Sequence, residues 1–197
     1  SSVSHCGFVL FGVAALNFMG VKGAVIQMFS HGIMTGLFFG LIGMVYGRTH
    51  TRIIPEMSGL AKVMPWLATA FYVAGLASLG LPGFSGFVAE SHVFLGGFFG
   101  NPWHSLTVMR VLTILSTLSI VVTAVYVLRG LATAFQGPIL DPHFNDLGDA
   151  TLPEKISTGV LVATLTITGV APFLLIDLVS SSIMPIINRL HGAGAGF

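Results

Sequence analysis

The sequence predicts an all-α fold, a polytopic membrane helix bundle with about five transmembrane helices, one of them discontinuous. Of its 197 residues, 54% are hydrophobic and 8% are charged, whereas a soluble domain carries about 25% charged residues. The mean hydropathy is +0.92. Long apolar runs separated by short polar loops fill most of the chain, which is the pattern of helices that cross a bilayer. A soluble fold would need an unusually large core to bury this apolar surface.

The composition also limits the function and the cofactors. Eight Lys/Arg and seven Asp/Glu give a net charge of +1, which does not indicate binding to nucleic acid. Cys6 is the one cysteine, so the chain has neither an internal disulfide nor a cysteine cluster for iron–sulfur. We expect Cys6 to be a small core residue. No dinucleotide fingerprint and no metal-ligand spacing occur, so the expected environment is lipid and no cofactor or metal is expected in this chain.

The apolar runs divide the chain 1–197 into five predicted spans. They cover residues 3–19, 23–46, 66–99, 106–135 and 154–177. The hydrophilic loop 47–64 holds three of the eight Lys/Arg, which predicts a cytoplasmic position for it. Lys22, between the first two spans, is expected at the membrane interface, as is the apolar segment 178–190. The first residues read as a helix entered partway, which suggests a piece of a longer chain.

The third span contains a helix break and an acidic residue. Pro82 removes a backbone donor and clashes with the preceding turn, and Gly83 loosens the backbone further. The 16 residues on each side of this break give about 24 Å of helix each, less than a hydrocarbon core of about 30 Å. We therefore predict one discontinuous helix broken at Leu81-Pro82-Gly83, and two short tilted spans are the alternative. Glu90 follows closely, and an ionisable residue beside broken backbone in a membrane indicates function.

Two histidines join Glu90 as candidate proton carriers. His5 lies in the first span, and His31 lies in the second on one helix face with Gln27 and Thr35, at spacings of four residues. Histidine takes up and releases protons near neutral pH, and such groups exchange protons through intervening water. The three residues predict a bundle that handles protons or ions. The alternative is that these polar groups only pack helices together.

Four motifs then resemble a known family. Ser2-Val3-Ser4-His5, residues 23–32, residues 46–52 and residues 81–90 occur in that order. Together they resemble the antiporter-like proton-translocating subunits of respiratory complex I, the NADH-quinone oxidoreductase, and among these the subunit M type, the counterpart of mitochondrial subunit 4. Sister L-type and N-type subunits and Mrp antiporters typically carry lysine at position 90, and the glutamate of this chain favours the M type. The resemblance implies that this chain corresponds to the last five of the fourteen transmembrane helices of the family.

The resemblance implies roles, partners and location. His5 and His31 fall on the central proton-conducting axis, and Glu90 on the terminal ionisable group of the second half-channel. The chain would be a subunit of an NADH:quinone oxidoreductase, a translocase without redox residues of its own. NADH, FMN, iron–sulfur clusters and quinone would lie in partner subunits, and the membrane partners would include the L and N types. The location would be the bacterial cytoplasmic membrane, or the mitochondrial inner or thylakoid membrane.

The sequence also departs from the family pattern and leaves alternatives open. Cys6 replaces a commoner methionine, and Ser91 replaces the usual phenylalanine after the glutamate, with His92 beyond it. His92 is two residues from Glu90 and does not share its helix face, so a structural role is expected for it. A cation/proton antiporter subunit of the Mrp type would use the same fold. A membrane subunit of a hydrogenase or formate hydrogenlyase complex is the other alternative.

Overall fold

A computed structural model of the chain describes residues 1–99 and 106–194. Over these residues the regular structure is entirely helical, which confirms the predicted all-α class. Seven α-helices are joined by loops that contain three short 3₁₀ turns. The helices are α1 (Ser2–Ala14), α2 (Phe18–Thr49), α3 (Pro65–Ser78), α4 (Ser85–Phe99), α5 (Leu106–Phe135), α6 (Leu152–Val170) and α7 (Phe173–Gly194).

Two of these helices are each long and apolar enough to cross a membrane as a single continuous helix. They are α2, with 32 residues, and α5, with an apolar stretch of 29 residues. The bent pair α6–α7 makes a third candidate when it is counted as one span. Helices α1, α3 and α4 have 13, 14 and 15 residues, or about 20–23 Å each. Their length alone does not identify these three helices as membrane spans. The predicted number of about five spans is reached when α1 is counted as one span and the α3–α4 pair as another.

The first two helices meet at a different place from the one that the apolar pattern predicts. Helix α1 ends at Ala14, and Leu16 adopts a left-handed backbone conformation with φ 48°. The side chain of Asn17 then caps α2 by accepting a hydrogen bond of 2.8 Å from the Gly20 N–H, as is usual for this residue type at a helix start. Helix α2 therefore begins at residue 18 and continues to residue 49, beyond both ends of the predicted span 23–46.

The last predicted span, 154–177, also differs from the structure. Helix α6 ends at Val170, and its axis makes an angle of 73° with that of α7. The cause is Pro172, because proline disfavours a helical conformation in the residue before it; Ala171 has φ −115° and ψ 64°. Helix α7 then continues through the segment 178–190, which the sequence analysis placed at the interface.

Helix α2 is the centre of the packing. It contacts α1, α3, α4, α6 and α7, and one of its faces contributes to the apolar core. The core has fully buried leucines from α2, the first loop, α3 and α6: Leu37, Leu41, Leu60, Leu67 and Leu165. The other half of the contact surface of α2, towards its N-terminus, packs on α1 and α4 and carries the polar residues described below.

The two hydrophilic loops meet at one end of the bundle. Arg48, in the last turn of α2, donates hydrogen bonds to both carboxylate oxygens of Glu154 in α6, at 3.2 and 2.6 Å. It also donates to the backbone carbonyls of Gly148 and Asp149. The Asp149 carboxylate in turn accepts from the Trp66 N–H at the start of α3, at 2.8 Å, a donor without a partner inside its own helix. The adjacent ends of α2, α3 and α6 are therefore tied together.

Candidate functional site

The three candidate proton carriers, His5, His31 and Glu90, come together from three helices. The Nδ1 atom of His5 in α1 lies 3.9 Å from Oε1 of Glu90 in α4. The rings of His5 and of His31 in α2 have centroids 5.1 Å apart and planes inclined by 32°. His5 and Glu90 are only 4% and 5% exposed. His5 is thus the residue that touches both of the others.

Gln27 is a fourth polar member of this site. Its side chain is 1% exposed, and its amide Nε2 donates a hydrogen bond of 3.0 Å to Nδ1 of His5. With Nδ1 accepting, a neutral His5 carries its proton on Nε2. Nε2 of His5 and Oε1 of Gln27 have no hydrogen-bond partner within the described residues. These two atoms are one donor and one acceptor without a partner. Buried polar atoms are nearly always hydrogen-bonded, so both atoms are exceptional among the described residues.

The polar face of α2 continues one turn beyond Gln27. The Thr35 hydroxyl lies 3.2 Å from Nδ1 of His31 on the same helix. His31 is partly exposed, in contrast to the buried Gln27. The spacing of four residues therefore indicated correctly that the side chains share a face, and that face is directed towards α1 in the region of His5.

The discontinuity between α3 and α4 starts earlier than the proline motif suggests. Helix α3 ends at Ser78 and α4 begins at Ser85, so the break spans residues 79–84. Pro82 lies in the middle of this break, and Gly83 has φ +102°. The first half of the helix has already ended when the chain reaches Pro82.

Gly80 caps the C-terminal end of α3, two residues after the helix ends at Ser78. It has φ +63°, a left-handed conformation that glycine adopts without steric cost. Its N–H donates to the Ala77 carbonyl at 3.2 Å, and the Leu81 N–H donates to the Leu76 carbonyl at 3.4 Å. This pair of hydrogen bonds around a left-handed glycine is the Schellman motif of helix C-termini. The predicted break was assigned to Pro82 and Gly83 and not to Gly80, although glycine just after an apolar helical run is the usual signal of a helix end.

Helices α2 and α4 touch through their backbones. A Cβ atom added to Gly23 would lie 2.6 Å from the backbone nitrogen of Val93 in α4. Further along the same interface, a Cβ atom on Gly96 would overlap the backbone of Gly20. Small residues at a helix interface permit this close approach. The separation between the polar face of α2 and Glu90 is therefore set by backbone contact and not by adaptable side chains.

Three other residues differ from, or extend, the sequence-based expectations. Lys22, expected at the interface, is only 8% exposed, and its Nζ lies 4.9 Å from the centroid of the Phe18 ring. Cys6, expected in the core, is exposed. His92 donates from Nδ1 to the Val88 carbonyl of its own helix at 2.7 Å, which holds its ring along α4.

Residues 1–128 match the family described as NADH:quinone oxidoreductase/Mrp antiporter, TM. The chain belongs to this family. It is 44% identical over 168 residues to NAD(P)H-quinone oxidoreductase chain 4 1 of Synechococcus elongatus, a match that covers 85% of the chain and 31% of the relative. It is 36% identical over 191 residues to NADH-quinone oxidoreductase subunit M of Rhodobacter capsulatus, covering 97% of the chain and 36% of the relative. The predicted family is confirmed.

Solved structures show the same fold in this antiporter-like family. A chain of respiratory complex I from Thermus thermophilus matches with a TM-score of 0.79 and 28% identity, over 93% of this chain and 37% of that one. A chain of the Mrp complex from Dietzia sp. DQ12-45-1b matches with a TM-score of 0.78, over 90% of this chain and 40% of that one, and its 20% identity supports the fold alone. The chain spans about a third of the length of the relatives it matches. It is an integral membrane segment of a family whose members occur in oxidoreductase complexes.

Proposed function

We propose that this chain is part of a proton-translocating membrane subunit of NADH-quinone oxidoreductase, which couples NADH oxidation and quinone reduction to proton pumping. The observation that carries the proposal is the contact of 3.9 Å between His5 and Glu90, buried between α1 and α4 of an apolar bundle. Ionisable groups are costly inside an apolar environment, and inside a membrane they usually mark an ion or proton pathway. The relatives named above support the assignment to this complex.

The proposed route runs from His31 through His5 to Glu90. Each imidazole has two nitrogens, so a histidine can accept a proton on one side and release it on the other. His5 contacts both other groups, which makes it the intermediate carrier. Glu90 is the last group, and the broken backbone of residues 79–84 beside it is the kind of structure that lines a cavity in a membrane protein. Protons would leave Glu90 towards the outer face along this break, where Pro82 and Gly83 prevent a continuous helix.

In this proposal, the redox chemistry belongs to other subunits. NADH, FMN, the iron–sulfur clusters and quinone would be bound there, and this chain would contribute no group to electron transfer. Its membrane neighbours would be the antiporter-like L-type and N-type subunits. Redox-linked changes in the partners would alter the electrostatic environment of His31, and the proton would then move towards Glu90.

The test is Glu90→Gln in the full-length subunit within the complete complex. Glutamine keeps the size of the side chain but cannot carry a proton, so we expect proton pumping into membrane vesicles to be lost while the complex still assembles. His92→Gln is the matched control on the same helix, because the His92 ring bonds to its own backbone, and it should pump normally. An unchanged ratio of protons pumped to electrons transferred in Glu90→Gln would overturn the role of Glu90.

A strain that lacks the gene, and purification of the complex, distinguish this proposal from the alternative members of the family. Loss of sodium tolerance in a strain lacking the gene, with NADH oxidation unchanged, would assign the chain to an Mrp-type cation/proton antiporter. Co-purification with a nickel–iron subunit would assign it to a hydrogenase or formate hydrogenlyase complex. Under the proposal, the strain loses NADH-driven proton pumping instead.

A further inference from the structure

We propose that Gly80 is a positioning residue for the carboxyl group of Glu90, so that the end of α3 determines where the proton-carrying group lies. This inference rests on the proposed role of Glu90 in proton translocation. Gly80 is not in hydrogen-bonding contact with a proton carrier, and it acts by leaving a space that no other residue type would leave.

The first observation is a steric one. A Cβ atom added to Gly80 would overlap Oε2 of Glu90, and it would lie 3.0 Å from Cδ and 3.5 Å from Oε1 of the same carboxyl group. The carboxyl group therefore rests directly on the α-carbon of Gly80. Any side chain at position 80 would occupy the place of one of the carboxylate oxygens.

The second observation is that the surroundings allow the carboxyl group little freedom to move aside. Glu90 is 5% exposed. One turn earlier on α4, a Cβ atom on Gly86 would lie 2.9 Å from the Ala77 carbonyl, so the backbones of α4 and of the last turn of α3 are in contact. The Ser85 hydroxyl at the start of α4 is 2.8 Å from the Ser30 hydroxyl of α2. Helix α4 is thus held against both neighbours near Glu90.

The consequence concerns the distance to His5. The two groups are 3.9 Å apart when one oxygen of the carboxyl group rests on Gly80. A methyl group at position 80 must displace the carboxyl group by a distance comparable with an atomic radius, and it changes the separation from His5 accordingly. A displacement of about 1 Å in a reacting group can cost about 100-fold in rate. Residue 80 would therefore control the efficiency of proton transfer to Glu90.

The test compares Gly80→Ala with Gly137→Ala in the full-length subunit of the assembled complex. Both glycines have positive φ, +63° and +95°, so alanine strains the backbone at either position. Gly137 lies in the loop after α5, and a Cβ atom there meets only the Ser58 hydroxyl oxygen, at 3.0 Å, so this control reproduces the strain outside the helix break and without touching Glu90. We expect Gly80→Ala to lower the rate of proton pumping by about 10- to 100-fold relative to Gly137→Ala, at equal amounts of assembled complex.

A rescue experiment distinguishes positioning from a simple loss of the helix end. Glu90→Asp shortens the side chain by one methylene group and withdraws the carboxyl group from position 80. Combined with Gly80→Ala, it should cost much less than the product of the two single effects, because the added methyl group then has room. Multiplicative losses would overturn the inference, as would a Gly80→Ala variant that pumps like Gly137→Ala. When the Gly80 variants give one of these adverse results, Glu90→Gln shows which proposal has failed. If Glu90→Gln pumps normally, the proposed function itself fails. If Glu90→Gln does not pump, the proposed function stands and only the role of Gly80 is lost.

Discussion

Replacing Gly23 by alanine tests whether the backbone contact between α2 and α4 sets the geometry of the proton site. The added Cβ atom would lie 2.6 Å from the Val93 nitrogen, and 2.9 Å from both the Ala89 carbonyl oxygen and the His92 carbonyl carbon. All three atoms belong to the backbone of α4, so no rotation of a side chain relieves the overlap. The two helices must separate instead.

The size of that separation follows from the contact distances. Non-bonded carbon atoms approach to about 3.5 Å, so relief of a 2.6 Å contact requires a local shift of about 0.9 Å. Overpacking of this kind typically costs about 1–3 kcal/mol in stability. Glu90 moves with α4, away from the groups held by α2, and a shift near 1 Å is expected to slow proton transfer by about 10- to 100-fold.

The assay is proton pumping by the complete complex in membrane vesicles, normalised to the electron-transfer rate. Gly36→Ala and Gly40→Ala are matched controls on the same helix, because a Cβ atom at either position meets nothing within 4 Å. Alanine is preferred over glycine in a helix by about 1 kcal/mol, so these two variants should be neutral or slightly stabilised.

Equal behaviour of Gly23→Ala and its two control variants would contradict this reasoning. If Gly23→Ala pumps and unfolds like the two control variants, α2 and α4 accommodate a methyl group at their contact. The backbone contact would then not determine the position of Glu90 relative to Gln27 and His5.

Two further substitutions examine the hydrogen bonds of the site and of the loops. Gln27→Leu removes the donor to Nδ1 of His5. The loss of one hydrogen bond of about 1 kcal/mol predicts that proton pumping is about fivefold slower while electron transfer is retained. Pumping at the wild-type rate would show that the Gln27 amide does not orient His5. Arg48→Lys removes the paired contact with both oxygens of Glu154, which an ammonium group does not reproduce. It should lower the free energy of unfolding by about 1–3 kcal/mol, measured by thermal unfolding of the purified complex, whereas Arg129→Lys in the last part of α5, which breaks no ion pair of the described residues, should have little effect. Equal midpoints for both variants would contradict this reasoning.

The sequence was sufficient for the fold class, and it named the three ionisable residues that the structure brings together. Composition and long apolar runs predict a helical membrane bundle, because a helix satisfies its backbone hydrogen bonds within itself in lipid. His5, His31 and Glu90 stood out because ionisable residues are rare in apolar helices. Spacing along one helix also predicted correctly that Gln27 and His31 share a face.

What the sequence did not reveal depends on contacts between helices. Helical spacing says which residues share a face, but not which residue of another helix opposes them, so the direct contact of His5 with Glu90 was not predicted. Gly80 carries no chemical group, and its importance follows only from the carboxyl group that lies against it. Lys22 was expected at the interface because its long charged side chain usually reaches water, whereas it is only 8% exposed here, with Nζ over the Phe18 ring of its own helix.

The pairing of Arg48 with Glu154 also has a consequence for the order in which the protein is made. The two residues are 106 positions apart in the chain. At a synthesis rate of about 5–20 residues per second, Glu154 follows Arg48 by about 5–20 s. During that interval, α2 remains without this ion pair. The ion pair forms only when the start of α6 has been made, so it joins a helix made early to one made late.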